Sequence, residues 1–243
     1  MDQRSSAPAD RDESKGASLR PDSSDRYGVA AWIYDAATAI WSGGAIWRTR
    51  VRALALAAPG STLFLPGPGT GRLAVEAARR GIQVTAVDRS PRMLARCRRR
   101  AGRAGVRIDL RLGDAREGSL DGPHDTVILE HFLNVFPRQE MERVRDQMIA
   151  RVRPGGVLAV ADFTPLDPRA SGLARLAQRL HHVTPLGGCA LLTGNAMHPI
   201  YDHGLELEGR PDLRLEAVHD ERSFGLGPAW FRCWVFRRLE GPR

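Results

Sequence analysis

The sequence predicts an α/β protein built on a doubly wound, mostly parallel sheet, and three observations carry that expectation. Five short apolar runs lie between Ser61 and Phe163, with helix-patterned segments separating most of them. A glycine loop, Gly67-Pro68-Gly69-Thr70-Gly71, joins the first run to the first of those helices. Two further strand-like runs near the C-terminus stand too close together for a crossover helix, so they should form an antiparallel hairpin at a sheet edge.

Taken in order, residues 1–24 carry almost no apolar side chains and are expected to be a disordered tail. Residues 25–60 read as a helical N-terminal extension that caps the substrate. It has one helix over 26–41, a Ser42-Gly43-Gly44 break and a second helix whose stripe (Ile46, Val51, Leu54, Leu56) stops at Pro59-Gly60. The main domain then spans 61–243. Its first strand is 61–66, and the helix after Gly71 runs to Arg80, with Gly81 as its stop. The second strand, 82–88, ends in Asp88, and Ser90-Pro91 is a cap with proline at the first helical position. The third and fourth strands are 106–114 and 125–130. Pro137 opens a helix to Val152, and Pro154-Gly155-Gly156 turns into the fifth strand at 156–163. An insertion without clear periodicity occupies about 165–209, before the hairpin strands 213–219 and 230–238.

Composition narrows the function. A hydrophobic content of 42% with 26% charged residues is that of a soluble globular chain, and no apolar run approaches the length of a membrane span. Cys97, Cys189 and Cys233 are widely spaced and odd in number, which points to reduced thiols in a cytoplasm and to no metal site. The net charge is +8, and Lys15 is the only lysine among 36 basic residues. The densest cluster (Arg89, Arg92, Arg96, Arg98, Arg99, Arg100, Arg103) has no interleaved aromatics, so a solvated helix face is expected rather than a nucleic-acid partner. The oligomeric state is not legible.

The loop itself excludes some ligands. Arg72 stands where a dinucleotide fingerprint needs glycine, and no lysine follows for a triphosphate. Asp88, 17 residues after Gly71, can accept from both ribose hydroxyls, and an acid after the third strand, Asp114, can receive the amino group of an adenine. With PGPGTG (66–71), TAVDRSPRML (85–94), LGDA (112–115), LEHFLNVF (129–136) and VRPGG (152–156) in this order, the sequence resembles the class I S-adenosylmethionine-dependent methyltransferases over about 26–238. The resemblance implies a Rossmann-like, seven-stranded sheet with an antiparallel final strand, S-adenosylmethionine as cofactor, and a cytoplasmic enzyme of secondary metabolism. It implies cofactor contacts from Gly67, Gly69, Thr70, Gly71, Asp88, Arg89, Met93, Asp114, Ala115 and Glu130, the last through its backbone. One position departs from the family: the acid usual two residues before the first glycine is Leu65, followed by Pro66.

By the same resemblance the methyl group should face the end of the fourth strand. His131 is there as the catalytic base or as the group that orients the acceptor; the alternative is a histidine that only hydrogen-bonds backbone at a strand end. Tyr34 and Trp41 from the extension, and Asn195, His198 and Tyr201 from the polar segment TGNAMHPIYDH, are the expected substrate contacts. Such an aromatic set favours a flat or apolar small molecule (a phenol, quinone or lipid-like metabolite), in loose similarity to quinone and phosphatidylethanolamine methyltransferases. His198, Asp202 and His203 have ligand chemistry but no third anchor at fixed spacing. Two alternatives stand beside this reading: an RNA or protein methyltransferase, and a non-methylating homologue that binds the cofactor.

Overall fold

The computed structural model describes residues 38–117, 122–165, 169, 171–180 and 200–240. The expected disordered tail, most of the first helix, and Tyr34, Asn195 and His198 lie outside them. Seven strands form one sheet: β1 (Thr62–Pro66), β2 (Gln83–Asp88), β3 (Asp109–Leu112), β4 (His124–Glu130), β5 (Val152–Phe163), β6 (Leu213–Glu221) and β7 (Phe231–Arg238). Their spatial order is β3-β2-β1-β4-β5-β7-β6. The first five are mutually parallel, and β7 runs antiparallel to both β5 and β6. The helices include α1 (Ala45–Arg52), α2 (Arg72–Arg79), α3 (Pro91–Ala104), α4 (Arg138–Ala150) and α5 (His203–Glu208).

The central strands β1, β4 and β5 are buried on both faces and read as continuous apolar runs, whereas the edge strand β6 alternates. Along β1, Phe64 enters a core with Val127, Leu129, Val160, Trp234 and the α4 residues Met141 and Met148. Its neighbours Leu63 and Leu65 enter the opposite core with Ile128, Ala159, Leu73 of α2 and Cys97 of α3. The Ser90 Oγ accepts from the Met93 amide at 3.1 Å and caps α3 as its sequence requires.

Three sequence expectations are corrected. The helix expected to reach Pro59 ends at Arg52; Ala53, Leu54 and Ala55 continue it only as i→i+3 turns (3.0–3.2 Å). Those turns bury Leu54 and leave Leu56 exposed, so the apolar stripe reaches Leu54, past the end of the helix, and stops there. The third strand contracts to Asp109–Leu112 at the sheet edge. The Pro154-Gly155-Gly156 segment lies inside β5 rather than before it. Val152 pairs with His124 and Val157 with Thr126, so 153–156 bulge out. A Cβ on Gly156 would sit 2.8 Å from the Arg153 and Asp125 carbonyl oxygens, which reserves that bend for glycine.

Candidate active site

The carboxyl ends of β1, β2, β3 and β4 converge at the glycine loop. Gly69 (φ 54) and Gly71 (φ 80) are left-handed, a conformation that costs other residues about 1–2 kcal/mol. A Cβ at Gly71 would meet Cys97 Sγ at 2.2 Å, whereas one at Gly69 meets nothing within 4 Å. The loop is therefore pressed onto α3 at one end and has open space at Gly69. Asp88 lies at the end of β2, its Oδ1 accepting from the Ser90 amide at 2.9 Å, and the Gly113 amide donates to the Asp88 carbonyl at 3.1 Å. Burial pushes the Cys97 thiol up to about 11; Arg100 opposes that, while the Asp88 and Glu130 carboxylates add to it. Both acids thus lie within electrostatic reach of the thiol beneath Gly71.

Asp114 follows β3 and is held by Arg116, whose Nε lies 2.8 and 3.0 Å from its two oxygens. Those hydrogen bonds keep its carboxyl below the usual carboxylate range. Arg116 also pairs with Glu140 of α4. Thr70, Met93 and Ala115 are buried, while the Arg89 side chain is 71% exposed and reaches Asp114 only at 3.8 Å. Glu130 closes β4 with its carboxylate inside the protein, 3.1 Å from Arg50 Nε. Its carboxylate is thus turned towards α1.

His131 follows immediately in a left-handed conformation (φ 51), one of two non-glycine residues so placed among the described residues. A histidine there stores strain of order 1–3 kcal/mol, a feature concentrated at functional sites. Its Nδ1 lies 3.4 Å from Asp162 Oδ1, and Asp162, on β5, is 1% exposed. The same Oδ1 accepts from Asn134 Nδ2 (2.7 Å) and the Phe163 amide (2.8 Å), while His203 Nε2 of α5 stands 3.6 Å from Oδ2. Burial raises the Asp162 carboxyl, but hydrogen bonds and charge from the two histidines more than offset it and hold the group well below the ordinary carboxylate range. His131 Nε2 is buried with no hydrogen-bond partner among the described residues. Sequence reasoning found His131 and missed Asp162 and Asn134; a single acid in the otherwise apolar run GVLAVADF was the available signal.

Aromatic rings surround that imidazole. Phe163 lies 5.1 Å and Phe231 6.1 Å from its centroid, both edge-on. Trp41 stacks edge-on against the same two rings at 6.5 and 5.6 Å. Trp41 and His131 thus share two aromatic neighbours. Tyr201 packs into the Phe64 core, its hydroxyl donating to the Phe136 carbonyl at 3.3 Å, and its ring lies 6.0 Å from that of His203, the histidine beside Asp162. Asp202, weighed above with His198 and His203, caps α5 by accepting from the Leu205 amide at 3.1 Å.

α1 spans this region. Trp47 receives Arg72, the first residue after the loop, over its ring at 3.9 Å, and Arg48 Nε pairs with Glu221 at the end of β6 at 2.7 Å. No helix among the described residues is long and apolar enough to cross a membrane.

Comparison with known proteins agrees with this arrangement. A methyltransferase-domain family model matches residues 66–156. A demethylmenaquinone methyltransferase of Thermus thermophilus is 33% identical over 168 residues, 67% of this chain and 74% of that protein. A carboxy-S-adenosyl-L-methionine synthase of Yersinia enterocolitica is 28% identical over 162 residues, 65% of this chain and 59% of the relative. Among solved structures, the Burkholderia thailandensis 1,6-didemethyltoxoflavin-N1-methyltransferase, with 1,6-didemethyltoxoflavin and S-adenosylhomocysteine bound, superposes with a TM-score of 0.62 at 16% identity, over 88% of this chain and 87% of that one. Sheet order, glycine loop and kinship point the same way: the chain belongs to the class I S-adenosylmethionine-dependent methyltransferase family.

Proposed function

We propose that the protein methylates a hydroxyl group on a small, largely apolar acceptor of the phenol, quinol or lipid-like kind, with His131 as general base. The observation that carries this reading is the buried Asp162–His131 pair, whose imidazole is walled by Phe163 and Phe231. The residues fit the cofactor: the space at Gly69 is open, and Asp88, Asp114 and Glu130 stand at the carboxyl ends of β2, β3 and β4 on the same side of the sheet as the loop. Gly67, Gly69, Thr70 and Gly71 would lie under it, Asp88 would take the ribose hydroxyls, and Asp114 with Ala115 would meet the adenine. Bound S-adenosylmethionine supplies an activated methyl group.

The chain's own part is alignment and proton transfer. Asp162 Oδ1 holds the proton on His131 Nδ1, which leaves Nε2 as the basic nitrogen. As the acceptor oxygen takes the methyl group, Nε2 takes its proton. Trp41, Phe163 and Phe231 exclude water and favour a flat substrate. The test is a screen of phenols and quinols against wild-type protein, His131→Gln and Asp162→Asn. Turnover should fall by roughly 100-fold in both variants, the scale of a lost general base. Affinity for S-adenosylhomocysteine should stay within about twofold, a difference of only a few tenths of a kcal/mol. Equal turnover in His131→Gln would remove it from the chemistry.

One observation favours a second reading, a cofactor-binding homologue that does not methylate. Leu65 is fully buried in the core and accepts no hydrogen bond. Cofactor binding without turnover of any acceptor, unchanged by His131→Gln, would support it.

A further inference from the structure

The Arg50–Glu130 ion pair is unlike the other arginine pairs of α1. Arg48 and Arg52 reach Glu221 from exposed positions, with 44% and 57% of their side chains accessible. Arg50 and Glu130 are 12% and 4% accessible. Desolvation offsets most of the attraction in such a pair, so burial of both charges is weak as a means of docking a helix. α1 has other anchors in the Trp47–Arg72 stack and the Arg48–Glu221 bridge.

Its position supplies a better reason. β1 and β4 pair in parallel with Phe64 opposite Val127, a register that carries Gly67 to the level of Glu130. The pair therefore stands at the mouth of the glycine loop, on the core face to which Leu65 and Ile128 belong. The loop can do little for a doubly charged ligand end. Leu65 is apolar, Pro66 and Pro68 have no amide proton, and the Gly67 and Gly71 amides already donate to the Val87 and Pro68 carbonyls at 2.8 and 2.9 Å.

Resting on the cofactor reading above, we propose that Arg50 and Glu130 together receive the zwitterionic amino-acid end of S-adenosylmethionine. The Arg50 guanidinium takes the carboxylate and the Glu130 carboxylate takes the ammonium. One internal ion pair is exchanged for two charge-assisted ones, and the net charge of the site is unchanged, so no ion is left unpaired in a buried place. The acid that Leu65 cannot supply comes from the neighbouring strand.

The experiment is calorimetric titration with two ligands: S-adenosylhomocysteine, and 5′-methylthioadenosine, which keeps the nucleoside and the sulfur but has no amino-acid end. Glu130→Gln and Arg50→Gln should each weaken S-adenosylhomocysteine by at least about tenfold, the scale of one lost charged hydrogen bond, and leave 5′-methylthioadenosine unchanged. The second ligand also verifies that each variant has kept its crevice, and either variant suffices if the other does not fold. Equal losses for both ligands would overturn the proposal and make the pair a strut for α1, as would unchanged binding of S-adenosylhomocysteine. If wild-type protein binds neither ligand, the cofactor reading itself fails and the inference falls with it.

Discussion

Gly71→Ala separates what the loop does for stability from what it does for a ligand. The new Cβ would lie 2.2 Å from the Sγ of Cys97, 2.8 Å from its Cβ and 2.9 Å from its Cα, on a backbone at φ +80. Left-handed alanine costs about 1–2 kcal/mol, and overpacking against a helix about 1–3 kcal/mol, so roughly 3 kcal/mol is expected. In a chain of this size that is a fall in Tm of about 10 °C. Cys97→Ala in the same protein removes the clash with sulfur but leaves the clash with the α3 backbone, so it should restore only part of the loss. Gly69→Ala is the control. It has the same backbone penalty with nothing within 4 Å, so its Tm should fall by about 3 °C. Its affinity for S-adenosylhomocysteine should fall by about tenfold or more because the methyl group occupies the open space, a 1.4 kcal/mol effect. Differential scanning calorimetry and titration calorimetry read the two quantities. A Gly71→Ala protein melting within about 1 °C of wild type would refute the packing of the loop on α3, since about 3 kcal/mol cannot vanish into so small a shift.

Two further outcomes can be measured without an acceptor. Asp88→Ala should weaken S-adenosylhomocysteine by at least about tenfold, the loss of one or two charged hydrogen bonds; unchanged affinity by titration would remove Asp88 from the ribose. Asp125 joins β4 to β1 by accepting from the Thr62 amide and hydroxyl at 2.8 Å each, and those bonds, with Arg153, hold its carboxyl down at about 2. Its contribution to stability is therefore complete above the ordinary carboxyl range and lost as pH falls from about 4 towards 2. The stability gap between wild type and Asp125→Asn in urea should close over that interval; a gap constant with pH would contradict the assignment.

The sheet was legible because its signals are local. Apolar runs bounded by Gly, Pro and Asp fixed the strands, and the short spacing before Trp230 marked the hairpin. The end of α1 was not, because the stripe continues through Leu54 while the hydrogen-bond pattern changes beneath it. The PGG bend reads as a turn in sequence, and only pairing with β4 shows it to be a bulge. In the candidate site, each strand-end residue could be named from its own motif. Asp162 could not, since its meaning comes from His131 and Asn134 after β4 and from His203 on α5. Nor does any periodicity tell which of Arg48, Arg50 and Arg52 turns inward to Glu130.

The reach of α1 also orders the assembly of the protein. The glycine loop, Asp88, Asp114 and His131 follow one another along the chain at intervals of about one strand–helix unit, so each step in closing them into a crevice confines a short loop. Arg48 must instead find Glu221, 173 residues away, and that partner exists only when β6 has been added to the far edge of the sheet. On a chain emerging from its N-terminus, the glycine loop and the ends of β1 to β4 can thus form early, while the docking of α1 beside them waits for the last hairpin. Damage to β6 or β7 should then loosen α1 before it disturbs the glycine loop itself.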